Sequence, residues 1–352
     1  MNSSLILMIL IATQIIAESF PISSSGHLHL VGRLAQFFGF EHVPQLPEYF
    51  DHFLHGPTII VLIIYFWRSW AVPMRLLLCG WWRCITTGHG SDSWRRLRRL
   101  FFKILGLVCA ADGITALFYF VIKKRLHDVV WLQSDAMLLV GFVVTMGLLL
   151  SLPFVSLHSA LRASIPPTPR WLWRTGGTNG KDDSDGSSGS TNFYEKFIRW
   201  LGEIFSYRSS RWSPKGEWRD ANAFSLPAGL MLGLAQSIAL ILPGISRFAS
   251  TYVVARWLGI EHRRAFQISF LVLFPLIIAG FLVNGVPGMV ASGMIFEIMT
   301  IPMFITFGGS TVVSFFALKL ADWMGARQKM WWFGVYMLVP EMVMIIFLIL
   351  NY

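Results

Sequence analysis

Charge is what this sequence has least of. Asp, Glu, Lys and Arg together make up 14% of the chain, while 55% is hydrophobic and 15% aromatic. A soluble globular domain averages about 25% charged residues, so a soluble fold is excluded. The three cysteines, Cys79, Cys84 and Cys109, show neither zinc nor thioredoxin spacing and cannot all pair, which argues against a structural metal or a disulfide framework. No basic n-region and no cleavage site precede Ser23, so a removable signal peptide is not expected. Lys and Arg are missing between Arg33 and Arg68 and again between Arg264 and Lys319. The net charge of +10 would suggest nucleic acid in a soluble protein; here the placement of the basic residues speaks for membrane topology instead, with no nucleic-acid partner.

What remains is an all-α polytopic membrane protein. Set against the roughly 20 apolar residues that a crossing helix needs, spans are expected at about 52–67, 101–122 and 129–153. A second set is expected at about 265–285, 295–318 and 330–350. Two apolar stretches, about 4–40 and 223–260, are interrupted by polar turns and are too short on either side for two comfortable crossings. They read as re-entrant hairpins, which the bilayer tolerates only where the turn lines a polar cavity. Residues 71 to 99 mix Trp81 and Trp82 with Arg75, Arg83 and Arg95 to Arg99 and are expected to form a surface-lying segment and a basic loop. Between 154 and 221 the chain is basic and in part low-complexity. Within it, residues 193–207 place Phe193, Phe197, Trp200, Leu201 and Ile204 on one face of an interfacial amphipathic helix.

The two halves echo each other. Gln14, Ala17 and Pro21 have the spacing Gln-x-x-Ala-x-x-x-Pro, and Gln236, Ala239 and Pro243 repeat it. One hairpin plus three spans, an odd number of crossings, inserts the second copy upside down: an inverted repeat of 1–153 and 222–352 with its site between broken helices. Of the 29 basic residues, 24 fall in the segments 68–103, 154–219, 256–264 and 319–329. The positive-inside rule therefore puts these in the cytoplasm and both termini on the outer face.

Chemistry is concentrated in the two turns. The first runs Gln14-Ile-Ile-Ala-Glu18-Ser-Phe-Pro21-Ile-Ser23-Ser24-Ser25-Gly26-His27. An ionisable group at membrane depth costs roughly 2.5–3.5 kcal/mol on insertion scales, so Glu18 is a functional candidate by default. Serines at a helix start leave backbone N–H groups to cradle an anion. The second turn supplies Gly244, Ser246, Arg247 and Thr251, and a guanidinium grips phosphate through two parallel hydrogen bonds without ever losing its charge. Acid, base, hydroxyls and anion clamp are the parts that phosphoryl transfer requires.

These motifs resemble those of the bacterial undecaprenyl-diphosphate phosphatases, the bacitracin-resistance proteins. The first family motif is matched by Gln14, Glu18 and Pro21 through His27, the second by Pro243, Gly244, Ser246, Arg247 and Thr251; Phe50-Asp51 with His55 also looks like the family's. Phe248 departs from it, standing where a serine is usual. The resemblance implies hydrolysis of undecaprenyl diphosphate to the monophosphate lipid carrier of cell-wall precursors. It also implies a divalent cation, Mg²⁺ or Ca²⁺, and a multi-pass protein of the bacterial plasma membrane with its site facing outward. Gln14 and Glu18 would hold the metal, and Ser23, Ser25, Gly26, Gly244, Ser246, Arg247 and Thr251 the phosphates. Glu18, Ser24, His27 and Arg247 would be catalytic, with Ser24, His27 or a metal-bound water as the nucleophile. Partners would be the polyprenyl diphosphate and membrane lipids, with room for a homodimer. Two other readings compete. A type 2 phosphatidic acid phosphatase would need a Lys-x6-Arg-Pro stretch, which is missing, whereas a lipid transporter would share the inverted repeat.

Overall fold

The structure is a computed structural model that describes residues 3–40, 47–87, 92–123, 134–155, 226–294 and 300–350. Among these the secondary structure is helical, with no strand. The helices are α1 (Ser3–Ala17), α2 (Ser24–Phe37), α3 (Glu48–Thr87), α4 (Asp92–Phe118), α5 (Asp135–Leu150), α6 (Leu226–Ile241), α7 (Arg247–Trp257), α8 (His262–Ala279), α9 (Ile301–Ala326) and α10 (Trp331–Ile349). A π-helical stretch, Gly280–Gly285, carries α8 on into Val286–Ala291.

Among the described residues six helices are long and apolar enough to cross a membrane: Tyr49–Trp67, Leu97–Val121, Asp135–Val155, His262–Ala291, Ile301–Ala326 and Trp331–Ile349. Ser4–Ala17 and Leu226–Ile241 are apolar but shorter. The expected six spans and two short first arms are therefore present, with shifted ends. The fifth span begins at Ile301 and runs to Ala326, later than expected. The third starts at Asp135, where Ser134 caps it by accepting a bond from Met137 N at 3.3 Å. The basic segment 154–221, with the amphipathic helix expected at 193–207, falls almost wholly outside the described residues.

One expectation fails. Residues 71 to 87 and 92 to 99 are helical and not a basic loop: α3 continues without a break to Thr87, and α4 sets out from Asp92. The Trp94 ring occupies the space that a Cβ on Gly80 would need, and its indole N–H donates to Leu77 O at 3.3 Å, so the two helices clasp each other beyond the spans. Arginines at helical spacing can solvate a helix without ending it.

Helices in a bilayer gain nothing from excluding lipid from one another, so close packing of small residues has to hold them together. Gly229-x-x-x-Gly233 of α6 does this against α4: a Cβ at either glycine would come within 2.8 Å and 2.5 Å of the Leu107 and Ala111 carbonyl oxygens. In the same way α1 lies on α9, where Ser19 meets Ser314 at 2.5 Å, and α5 lies on α10. The main core joins α3, α7 and α8 through Phe66, Phe248, Phe266 and Phe270. Phe248 packs against Phe270 with ring centroids 4.3 Å apart. The residue that departs from the family motif thus points into an aromatic core and not toward the site.

Candidate active site

Both turns rest on one helix. Ser23 caps α2, its hydroxyl accepting from Gly26 N at 3.2 Å; Ser246 caps α7, accepting from Ala249 N at 3.2 Å. Each turn then meets α5. The Phe142 ring fills the space over Gly26, where a Cβ would be 2.3 Å from it. Gly141 lies so close beneath the second turn that a Cβ there would come 1.9 Å from Pro243 O. Thr145 completes the seat: its hydroxyl donates to Gly244 O at 3.2 Å and accepts from Ser246 N at 3.0 Å. Gly244 itself has φ +84°, a left-handed conformation that side-chain-bearing residues avoid. Residues more than 200 positions apart are thereby placed side by side, with Ser24 and Arg247 each first in its helix, directly after a serine cap.

Glu18 is buried at the end of α1. One carboxylate oxygen lies 2.7 Å from His55 Nδ1, and the other accepts a hydrogen bond from Thr58 Oγ1 at 2.7 Å. Gln14, one turn earlier, donates through Nε2 to Asp51 Oδ1. Asp51, His55 and Thr58 stand at i, i+4 and i+7 and so share the face of α3 that meets α1. The Arg247 guanidinium acts electrostatically on both Glu18 and His55, so the second hairpin's cation belongs to the same charged group as the first hairpin's acid.

His27 is also buried. Its Nδ1 lies 2.6 Å from Ser23 O, which makes Nδ1 the protonated nitrogen; Nε2 then accepts from the Tyr336 hydroxyl at 3.1 Å. The ring stacks on Tyr336 at 5.7 Å and meets the Phe142 edge at 5.6 Å. No Ser24–His27 hydrogen bond is made, because both ring nitrogens are taken by other groups. Ser24 is half-buried and Ser25 exposed, the latter 3.4 Å from the Ser23 hydroxyl. Thr251 is buried, and its hydroxyl donates to Arg247 O and Phe248 O at 3.0 and 3.1 Å, so its proton is committed to its own helix. The caps Ser23 and Ser246 only accept in their capping bonds.

The sequence reading missed Thr58, Thr145 and Tyr336, and noticed Asp51 and His55 without giving them a role. The i, i+4, i+7 pattern of Asp51, His55 and Thr58 inside an apolar span was a usable signal. Nothing local marks Thr145 or Tyr336. Among the described residues, no group of three or more His, Cys, Asp or Glu side chains is arranged to hold a metal. The oxygens of Glu18, Asp51 and Gln14, with Gln14 Oε1 buried and without a protein partner, are nevertheless hard donors. Mg²⁺ is commonly held by one or two carboxylates plus substrate phosphates, and this set fits that pattern.

Fold and site together define a polytopic membrane protein with a polar centre built from two capped helix starts, an arginine and a buried acid. Comparison with known proteins narrows this further. The family model for the bacitracin resistance protein BacA matches residues 7–162 and 197–343, and the chain belongs to that family. It is 26% identical over 340 residues to the undecaprenyl-diphosphatase of Desulforudis audaxviator, covering 96% of this chain and 94% of that protein. The undecaprenyl-diphosphatase of Mycobacterium ulcerans is 32% identical over 148 residues, 40% of this chain and 48% of its own length. Undecaprenyl-diphosphatase 3 of Bacillus anthracis is 28% identical over 130 residues, 37% of this chain and 47% of that one.

Proposed function

We propose that the chain is an undecaprenyl-diphosphate phosphatase. It releases the terminal phosphate of the C55 polyprenyl diphosphate on the outer side of the plasma membrane and returns the monophosphate carrier to peptidoglycan synthesis. The family's name implies that this activity confers bacitracin resistance. The observation that carries the reading is the seating of both capped turns on α5, with Arg247 and Glu18 in one electrostatic field. The packing pairs support an inverted repeat: α1 on α9 answers α6 on α4, α2 on α10 answers α7 on α5, and α3 on α9 answers α8 on α4.

In this reading the diphosphate lies across the starts of α2 and α7. Backbone N–H groups and helix dipoles favour its charge there. Arg247 takes two phosphate oxygens, and the Ser23 and Ser246 hydroxyls donate their remaining protons. Ser24, at the mouth of the same cradle, is the hydroxyl best placed to attack the terminal phosphorus as the bond to the bridging oxygen breaks; water then displaces the phosphoryl group from Ser24 as inorganic phosphate. His27 is neutral with its basic Nε2 facing Tyr336; once the tyrosine yields to substrate, Nε2 can take the proton from the attacking group. His55 and Thr58 fix both oxygens of Glu18, and Asp51 fixes Gln14. A divalent cation, when bound by Glu18 and Gln14 together with the phosphates, would neutralise charge on the leaving group. The test is phosphate release from undecaprenyl diphosphate by purified protein in detergent, where transport cannot occur. Turnover is expected there, whereas substrate binding without hydrolysis would favour the transporter.

A further inference from the structure

The arm formed by α3 and α4 beyond the spans takes no part in this chemistry. Trp70 still packs against Phe274 of α8 at 4.7 Å, but α3 then runs on to Thr87. Trp94 is buried against Gly80, and Arg98 lies over its ring at 4.8 Å, so the arm is a built hairpin. One face of it stays open. Met74, Leu78, Trp81, Trp82 and Ile85 are 45, 56, 61, 69 and 66% exposed. Their spacing of i, i+4, i+7, i+8 and i+11 makes a single helical stripe. Traced back into the span, the same stripe passes through Ile60, Ile64 and Trp67, which are also exposed where acyl chains surround the helix. Beside it stand the exposed Arg75, Arg83, Arg95, Arg98 and Arg99, and residues 68–103 hold eight Lys and Arg against the single acid Asp92.

We propose that this arm is an interfacial platform that binds anionic phospholipid headgroups of the cytoplasmic leaflet. The apolar stripe sinks among the upper acyl chains while the arginines hold the phosphates. Three observations favour this occupant. The stripe continues a lipid-facing surface, its aromatic and aliphatic face is bordered by arginine in the manner of interfacial helices, and the charge is almost entirely of one sign. A helix of 40 residues is about 60 Å long, twice the hydrocarbon thickness of about 30 Å. Tilting toward its apolar face is how such an excess is accommodated, and that tilt lays the stripe on the headgroups. A second copy could cover the stripe, but it would bring two sets of like-charged arginines together.

The test uses the full chain with Cys79, Cys84 and Cys109 replaced by serine and a nitroxide on Ile85→Cys. The protein is placed in nanodiscs of phosphatidylcholine alone or of phosphatidylcholine with phosphatidylglycerol. With phosphatidylglycerol, the label's accessibility to a water-soluble relaxant should fall severalfold and its accessibility to oxygen should rise. High salt should reverse both changes, as should replacing the five exposed arginines by glutamine, with hydrolysis unchanged. A wild-type salt series, read by quenching of tryptophan with brominated phosphatidylglycerol, gives the same answer if the glutamine variant does not fold. Equal aqueous accessibility in both lipids would overturn the proposal. So would efficient disulfide formation between two copies through Leu78→Cys, which would assign the stripe to a dimer.

Discussion

Replacing His55 by alanine is the sharpest test of how the site is built. The His55 and Glu18 side chains are 2% and 6% exposed and stand 2.7 Å apart, so the substitution strands a buried carboxylate whose remaining protein bond is the one from Thr58. Removing one partner of a buried ion pair costs about 3–5 kcal/mol, whereas losing one hydrogen bond to a charged group costs about 1.5–3 kcal/mol. His55→Ala should therefore lower stability by more than Thr58→Val does. If the whole loss fell on the transition state, it would reduce turnover by roughly two to three and a half powers of ten. His55→Gln keeps an N–H donor near the same oxygen and should recover much of both. The assays are thermal unfolding in detergent and phosphate release under saturating substrate. Wild-type melting and wild-type turnover for His55→Ala would refute the argument, because a desolvated carboxylate cannot lose its partner without cost. Loss of stability with normal turnover in the surviving fraction would confine His55 to the fold and remove it from the site.

Other outcomes follow from the same geometry. Arg247→Lys keeps the charge but loses the planar fork, and phosphate release should fall by most of its value with expression unchanged. Glu18→Gln and Arg247→Ala should each cripple hydrolysis. The double variant should be little worse than the poorer single, since residues serving one transition state lose function non-additively; fully additive losses in the kinetic cycle would separate the two hairpins. Gly141→Val forces side-chain atoms into Pro243 O, where even a Cβ would sit at 1.9 Å, and should displace the second turn. Activity and thermal stability should fall together, by an amount typical of overpacking, about 1–3 kcal/mol. Gly147→Val on the same helix, where a Cβ meets nothing within 4 Å, should be silent in both measurements.

Much of this protein is legible in one dimension. Class, the number of apolar helices and the two interrupted hairpins follow from composition and run length, because a bilayer demands long apolar segments and punishes stray charge whatever the fold. The motif residues were likewise readable: an acid, a histidine and an arginine in otherwise apolar sequence carry a cost that invites a function. Tertiary structure decided how they are used. That Glu18 answers to His55 and Thr58, that His27 turns to Ser23 and Tyr336 in place of Ser24, and that α5 seats both turns through Gly141, Phe142 and Thr145 depend on helix contacts between distant segments. The same holds for Trp94, which reaches back to Gly80 and keeps α3 and α4 paired where the sequence alone suggested a loop. Local periodicity shows which face of a helix is special. Only the packed bundle shows what that face meets, since a small residue such as Gly80 or Gly141 gains its meaning from the neighbour it admits.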